Sequence, residues 1–148
     1  MTRTADRTRL IFDIGGTVFD WSTAMLETLD RVLPLAGRPE LDRDALAFAV
    51  RARFLDLNGA VNRREIAWLT ADQMLTRIVE ELCREHRLDA ISAEGRRSLA
   101  QSWRHMPAWP GAREAIAALR QRYIAAPLTI LSWNMAVGSS RRNGIDWD

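Results

Sequence analysis

Leu10-Ile11-Phe12-Asp13-Ile14-Gly15-Gly16-Thr17-Val18-Phe19-Asp20-Trp21 is the stretch on which the reading of this chain turns. Leu10 to Phe12 form an apolar run too short for a helix, and it stops at a carboxylate closely followed by two glycines. That pattern predicts a buried strand ending in a tight turn. Such a turn stands at the carboxyl end of a parallel strand, where open α/β sheets bind their ligands. Gly15 and Gly16 allow a ligand or another backbone to approach closely. An aspartate at this place can be a nucleophile, hold a metal or hydrogen-bond a phosphate-bearing ligand. It can also do no more than cap the turn through its own backbone. The stretch by itself leaves these readings open.

Outward from it, the period changes at Ser22. Met25, Leu26, Leu29, Val32 and Leu33 recur at helical spacing, with Ser22 expected as the N-cap. Asp42 is expected to cap a second helix carrying Leu46, Ala49, Val50, Arg53, Phe54 and Leu57, broken or bent at Asn58-Gly59. A third helix is predicted from Thr70 to His86 on Met74, Leu75, Ile78, Val79 and Leu82, and a fourth from Ser92 to Arg104. Met106-Pro107-Ala108-Trp109-Pro110-Gly111 reads as a stiff connector, because closely spaced prolines resist helix. Ala112 to Arg122 is then an amphipathic helix on Ile116 and Leu119. Leu128 to Leu131 is expected as a second buried strand ending at Ser132, and Ala136 to Arg142 as a short helix stopped by Asn143-Gly144. Ile145 to Asp148 looks like the start of a third strand. The organisation is residues 1–21 as first core strand and loop, 22–106 as a helical insert, and 107–148 as the return to the core.

Composition narrows the classes. The chain has 148 residues, 47% hydrophobic and 27% charged, which suits globular material rather than a disordered or fibrous chain. All 21 basic residues are arginines, so no lysine here can form a Schiff base or anchor a phosphate. Their charge is nearly balanced, at +2, and no basic stripe interleaved with aromatics argues for nucleic acid. Cys83 stands alone in a helical pattern and is expected to be buried and structural. No apolar run approaches the roughly 20 residues that span a bilayer, and MTRTADRTR carries no signal-peptide core. The expectation is a cytoplasmic protein acting on neither membrane nor nucleic acid. The six tryptophans are expected to be packing residues, with Trp21 and Trp133 nearest a pocket.

The opening stretch resembles the first motif of the haloacid dehalogenase superfamily, particularly its 2-haloacid dehalogenase branch: hydrophobic-Phe-Asp, a variable pair, Gly-Thr, then Val-Phe-Asp. Leu128-Thr129-Ile130-Leu131-Ser132 is similar to its second motif, and the insert from Trp21 to Arg104 to its helical cap. The resemblance implies an α/β, Rossmann-like core, its parallel sheet incomplete here, interrupted by that cap. It implies Asp13 as the nucleophile that displaces the leaving group and forms an ester. Thr17 and Ser132 would hydrogen-bond the nucleophile or substrate oxygens. Arg51 aligns with the cap arginine that receives the halide, a role suited to a permanently charged, multi-donor group. Asn134 and Trp21 are the remaining substrate-side candidates. No metal and no cofactor are implied, and the partner is a small 2-halo carboxylic acid; a homodimer is allowed.

Three departures qualify that picture. Gly15 stands where the superfamily's phosphatases carry a second aspartate, the acid that protonates a leaving alcohol; halide needs no such proton. The haloacid enzymes usually carry tyrosine there. Trp133 follows Ser132 where asparagine is usual, and Asn134 comes one residue late. The third and fourth motifs, a lysine and an acidic or amide set, fall beyond Asp148, so the chain is expected to represent the front portion of such a protein, and whether it is an enzyme by itself stays open. The alternatives are a non-catalytic fragment or a subunit needing a partner, a phosphatase of the same superfamily using Asp13 and magnesium, and a sugar-kinase-like nucleotide-binding fold. That last fold needs antiparallel strands where residues 22–33 have helical period.

Overall fold

The computed structural model describes residues 8–148. Residues 1–7, most of the amino-terminal segment read above as lacking a signal peptide, lie outside those residues. The chain divides into two compact units: Met1–Trp21 with Arg104–Asp148, and Ser22–Trp103.

The first unit is an α/β core. Its strands β1 (Arg9–Phe12) and β2 (Ile124–Pro127) pair in parallel, Arg9 beside Ile124 and Phe12 beside Pro127. The ladder is framed by the Ile124 amide donating to the Thr8 carbonyl at 3.1 Å and the Leu128 amide donating to the Phe12 carbonyl at 2.8 Å. The second strand therefore begins at Ile124, not at Leu128 as hydrophobicity predicts. Strand identity here follows hydrogen-bond supply: β1 ends at Phe12, so after Leu128 no carbonyl of β1 remains to pair with. Leu128 and Ile130 are left exposed, while Ala125, a weak strand former, is fully buried.

Helix α5 (Ala112–Arg120) packs on β2 and buries Ile116. Helix α6 (Trp133–Asn143) is longer than expected and starts directly after Ser132. Ile145 to Asp148 form no strand, yet Asp148 bonds to the outer edge of β2. The Asp148 amide donates to the Ala125 carbonyl at 2.9 Å. Its carboxylate accepts from the Ala125 amide at 2.9 Å and from Arg120 Nε and Nη2 at 3.2 and 3.1 Å. The outward-facing backbone pair of Ala125 is thereby satisfied.

The second unit is helical. Helix α1 (Trp21–Leu35) begins one residue before its expected cap, so Ser22 sits inside the first turn. This helix occupies the residues where a sugar-kinase-like fold would require strands. Helix α2 (Arg43–Asn62) is capped by Asp42, whose carboxylate accepts the Ala45 amide at 3.0 Å. It runs through Asn58-Gly59 unbroken. Glycine in a helix costs about 1 kcal/mol relative to alanine, and burial of Leu46, Val50 and Phe54 on the same helix more than offsets it. Helix α3 (Ala71–Glu85) opens with a reciprocal capping box between Thr70 and Gln73. Helix α4 (Ala93–Gln101) is shorter than predicted and passes into a 3-10 turn, Ser102–His105.

Helix α3 packs against both α2 and α4. Its stripe of Met74, Leu75, Ile78, Val79, Leu82 and Cys83 is buried. Phe54 meets Trp103 edge to face, ring centres 5.1 Å apart at 80°. Between α2 and α3, Arg53 forks onto Glu85 at 2.9 and 2.7 Å. Arg53 holds the Glu85 carboxyl below its ordinary range, but so exposed a pair adds little stability. The tryptophans do not all pack: Trp103 is buried, whereas Trp68 and Trp133 are exposed. No helix of the described residues is long and apolar enough to cross a membrane.

Cys83 is buried in this helical core, and burial pushes its thiol pKa up. Such a group contributes stability that is fully present below its unfolded pKa and is lost as pH rises from there through its raised folded pKa, because the unfolded thiol ionises first. Iodoacetamide labelling of Cys83 should accordingly be slow in the native protein and rise in step with urea unfolding. Fast labelling of the native chain would contradict the burial.

Candidate active site

Asp13 stands exposed at the end of β1. Ile14, the next residue, is fully buried and anchors the turn from below. Three backbone bonds close the loop: the Val18 and Phe19 amides donate to the Ile14 carbonyl at 3.1 and 2.9 Å, and the Gly16 amide donates to the Phe19 carbonyl at 2.8 Å. Gly16 adopts φ +99°, a left-handed conformation that strains any residue with a Cβ. The tightness of this loop brings Thr17 back over the strand end, where its hydroxyl donates to Asp13 Oδ2 at 3.0 Å. One carboxylate oxygen is thus oriented.

The connector 107–109 holds the loop from its other side. Asp20 donates its amide to the Pro107 carbonyl at 2.8 Å, and Trp109 donates its amide to the Val18 carbonyl at 3.0 Å. The Trp109 indole Nε1 also donates to the Gly16 carbonyl at 3.1 Å. Trp21 lies against the same glycine, its indole about 3.5 Å from where a Gly16 Cβ would stand.

Behind the connector, α6 acts as a buttress. Asn143 Oδ1 accepts the Ala108 amide at 2.8 Å, while its Nδ2 donates to the carbonyls of Met106 at 2.8 Å and Ser139 at 2.7 Å. The Met106 amide donates to Ser139 Oγ at 3.3 Å. Gly138 lets α6 approach so closely that a Cβ there would collide with the Arg104 carbonyl.

The loop before α6 is the second wall of the site. Ser132 is the N-cap of α6, its hydroxyl accepting the Met135 amide at 3.3 Å. Capping uses the Ser132 oxygen as an acceptor and leaves its O–H as a donor. Trp133 and Asn134 occupy the first turn and are exposed. That turn carries the positive end of the helix dipole, a setting for an anion. Leu131, just before Ser132, reaches over Gly15: a Cβ at Gly15 would lie 3.2 Å from Leu131 Cδ1. Asp13, Thr17, Trp21 and the loop ending in Ser132 thus belong to one unit, whereas Arg51 lies half-buried on α2 of the helical unit. Among the described residues, no group of three or more His, Cys, Asp or Glu side chains is placed to share a metal ion.

Comparison with solved structures bears on the fold. A defluorinating L-2-haloacid dehalogenase superposes with a TM-score of 0.87 at 24% identity, over 96% of this chain and 58% of the other. The fold is that of the 2-haloacid dehalogenases. A second L-2-haloacid dehalogenase gives 0.85 at 23% identity, over 96% of this chain and 60% of that one. The L-2-haloacid dehalogenase of Xanthobacter autotrophicus with chloropropionic acid covalently bound gives 0.68 at 16%, over 94% and 53%. The chain spans less than two-thirds of the length of these dehalogenases. No protein-family profile and no curated protein matches it.

Three participants carry no sequence signal of their own. Trp109 is one aromatic in a connector, Asn143 reads as a helix stop, and Leu131 reads as a strand residue. Their roles come from residues far along the chain. Replacing Asn143 by alanine leaves the Ala108 amide and the Met106 carbonyl without their partner, so thermal or urea unfolding should show a loss of about 1–3 kcal/mol. Unchanged stability would remove Asn143 as the staple.

Proposed function

We propose that this chain carries the nucleophile half of a hydrolytic 2-haloacid dehalogenase. The observation that carries the reading is the oriented carboxylate of Asp13, held by Thr17 at 3.0 Å on an exposed strand end, beside a residue 15 that has no side chain. A phosphate ester would need an acid near that position to protonate its leaving alcohol, and glycine supplies none. A halide leaves as the anion.

In the proposed reaction a carboxylate oxygen of Asp13 attacks C2 of the haloacid. The new C–O bond forms as the carbon–halogen bond breaks, and halide departs with the electron pair. Water then attacks the ester carbonyl of Asp13, which releases the 2-hydroxy acid, returns the carboxylate and yields a proton. The substrate carboxylate is assigned to the first turn of α6, whose amides and dipole favour an anion, with Asn134 beside it. Arg51 is assigned to the departing halide, and Trp21 to the wall next to Gly16. The covalent chloropropionic acid adduct in the Xanthobacter autotrophicus dehalogenase supports the same chemistry on a related fold.

A second reading has its own observation. Ile11 on β1, and Leu128 and Ile130 in the segment that follows β2, leave apolar side chains in water beside a parallel sheet, a type normally covered on both faces. Here the chain would be a subunit whose sheet is completed by a further polypeptide. Turnover by the purified chain separates the two readings.

Asp13→Asn is close to isosteric, exposed, and still able to accept from Thr17, so it should fold normally. Halide release from 2-chloropropionate should fall by about a thousandfold or more. Equal release by this variant would end the nucleophile assignment. Arg51→Ala should lower turnover of chloro acids without a matching loss of thermal stability; parallel losses in both would mark Arg51 as structural only.

A further inference from the structure

We infer that Leu131 determines which alkyl groups the site accepts, by filling the room that a side chain at position 15 would otherwise take beside the nucleophile. The inference rests on the dehalogenase reading above and adds to it the identity of the residue that limits substrate size. A Cβ built on Gly15 would meet Leu131 Cδ1 at 3.2 Å, Cγ at 3.6 Å and Cδ2 at 3.8 Å. The whole isobutyl group is thus seated over this glycine. Leu131 keeps part of its surface accessible, so it is a wall of the site rather than a core residue.

Its neighbours fix what that wall would face. Gly15 lies two residues after Asp13 in a loop closed by backbone bonds, and Leu131 directly precedes Ser132, the cap of α6. A haloacid attacked at C2 by Asp13, with its carboxylate on the α6 amides, has both groups attached to the same short carbon unit. The remaining substituent on C2 is the alkyl chain, and Leu131 is the apolar side chain that joins the two loops gripping the molecule. The glycine also gives Leu131 its place: any Cβ at position 15 would push it by a few tenths of an ångström. Residues 15 and 131 are therefore coupled determinants of one space, the first by being absent and the second by filling it.

The experiment compares halide release from 2-chloropropionate and 2-chlorohexanoate by the native chain, Leu131→Ala, Gly15→Ala and the double variant. Thermal melts establish that each is folded, and Leu131→Val serves as the milder change if alanine destabilises. Leu131→Ala should raise the long-to-short rate ratio by about tenfold or more, the discrimination typical of a few methylenes in an apolar site. Gly15→Ala should lower that ratio by crowding Leu131, and the double variant should bring it back toward the native value. A ratio that stays within about twofold of native in Leu131→Ala and Leu131→Val overturns the role of Leu131 while leaving the dehalogenase reading intact. Absence of halide release from both acids in every folded variant overturns the dehalogenase reading itself, and this inference with it.

Discussion

The hydrogen bonds between the loop after β1 and the connector 107–109 are the constraint on which the rest of the core depends. Val18 and Asp20 exchange backbone bonds with Trp109 and Pro107, and the Trp109 indole adds a third to Gly16. They join residues that more than eighty positions of helical insert separate. Closing so long an excursion costs entropy, though the cost grows only slowly with length. A few well-placed bonds, backed by burial of Ile14 and Phe19, are enough to return the chain to register. Once it has returned, α5 can pack on β2 and α6 can present its amino end to the loop that carries Asp13.

The same constraint organises the chemistry. Thr17 reaches Asp13 because the loop is tight, and the loop is tight because Gly16 tolerates a left-handed backbone and the connector braces it. The Asn143 staple fixes the connector against α6. Carboxylate, bracing tryptophan and helix end thus form one chain of contacts, in which a change at α6 reaches Asp13 through the connector. Gly15 gives the site its character. A side chain there would crowd Leu131, whereas glycine lets this apolar residue from the second loop lean in.

Much of this was legible from the chain alone, for reasons that differ by element. The helical unit follows from spacing, since Met74, Leu75, Ile78, Val79 and Leu82 can only be buried together on one helix face. Asp42, Thr70 and Ser92 act as caps because short polar side chains satisfy free amides wherever a helix begins. Asp13 was legible as a carboxylate where an apolar run meets two glycines, whereas Thr17 entered only through the resemblance to the first motif. The second strand misled. Leu128 to Leu131 have every local mark of a strand, but pairing goes to Ile124 to Pro127, which have few.

By itself the sequence determined what local chemistry can determine: which segments are helical, where a carboxylate meets a glycine turn, and that no lysine lies within these residues. Only the tertiary structure decided which residues pair with β1, that Ser132 caps α6, and that Trp109, Asn143 and Leu131 build the surroundings of the site. The physical reason is range. Helix propensity, capping and turn geometry act across a few residues and are written in neighbouring letters. Strand partnership and the seating of one side chain over a distant glycine depend on which hydrogen-bond donors and which empty volumes the folded chain brings together.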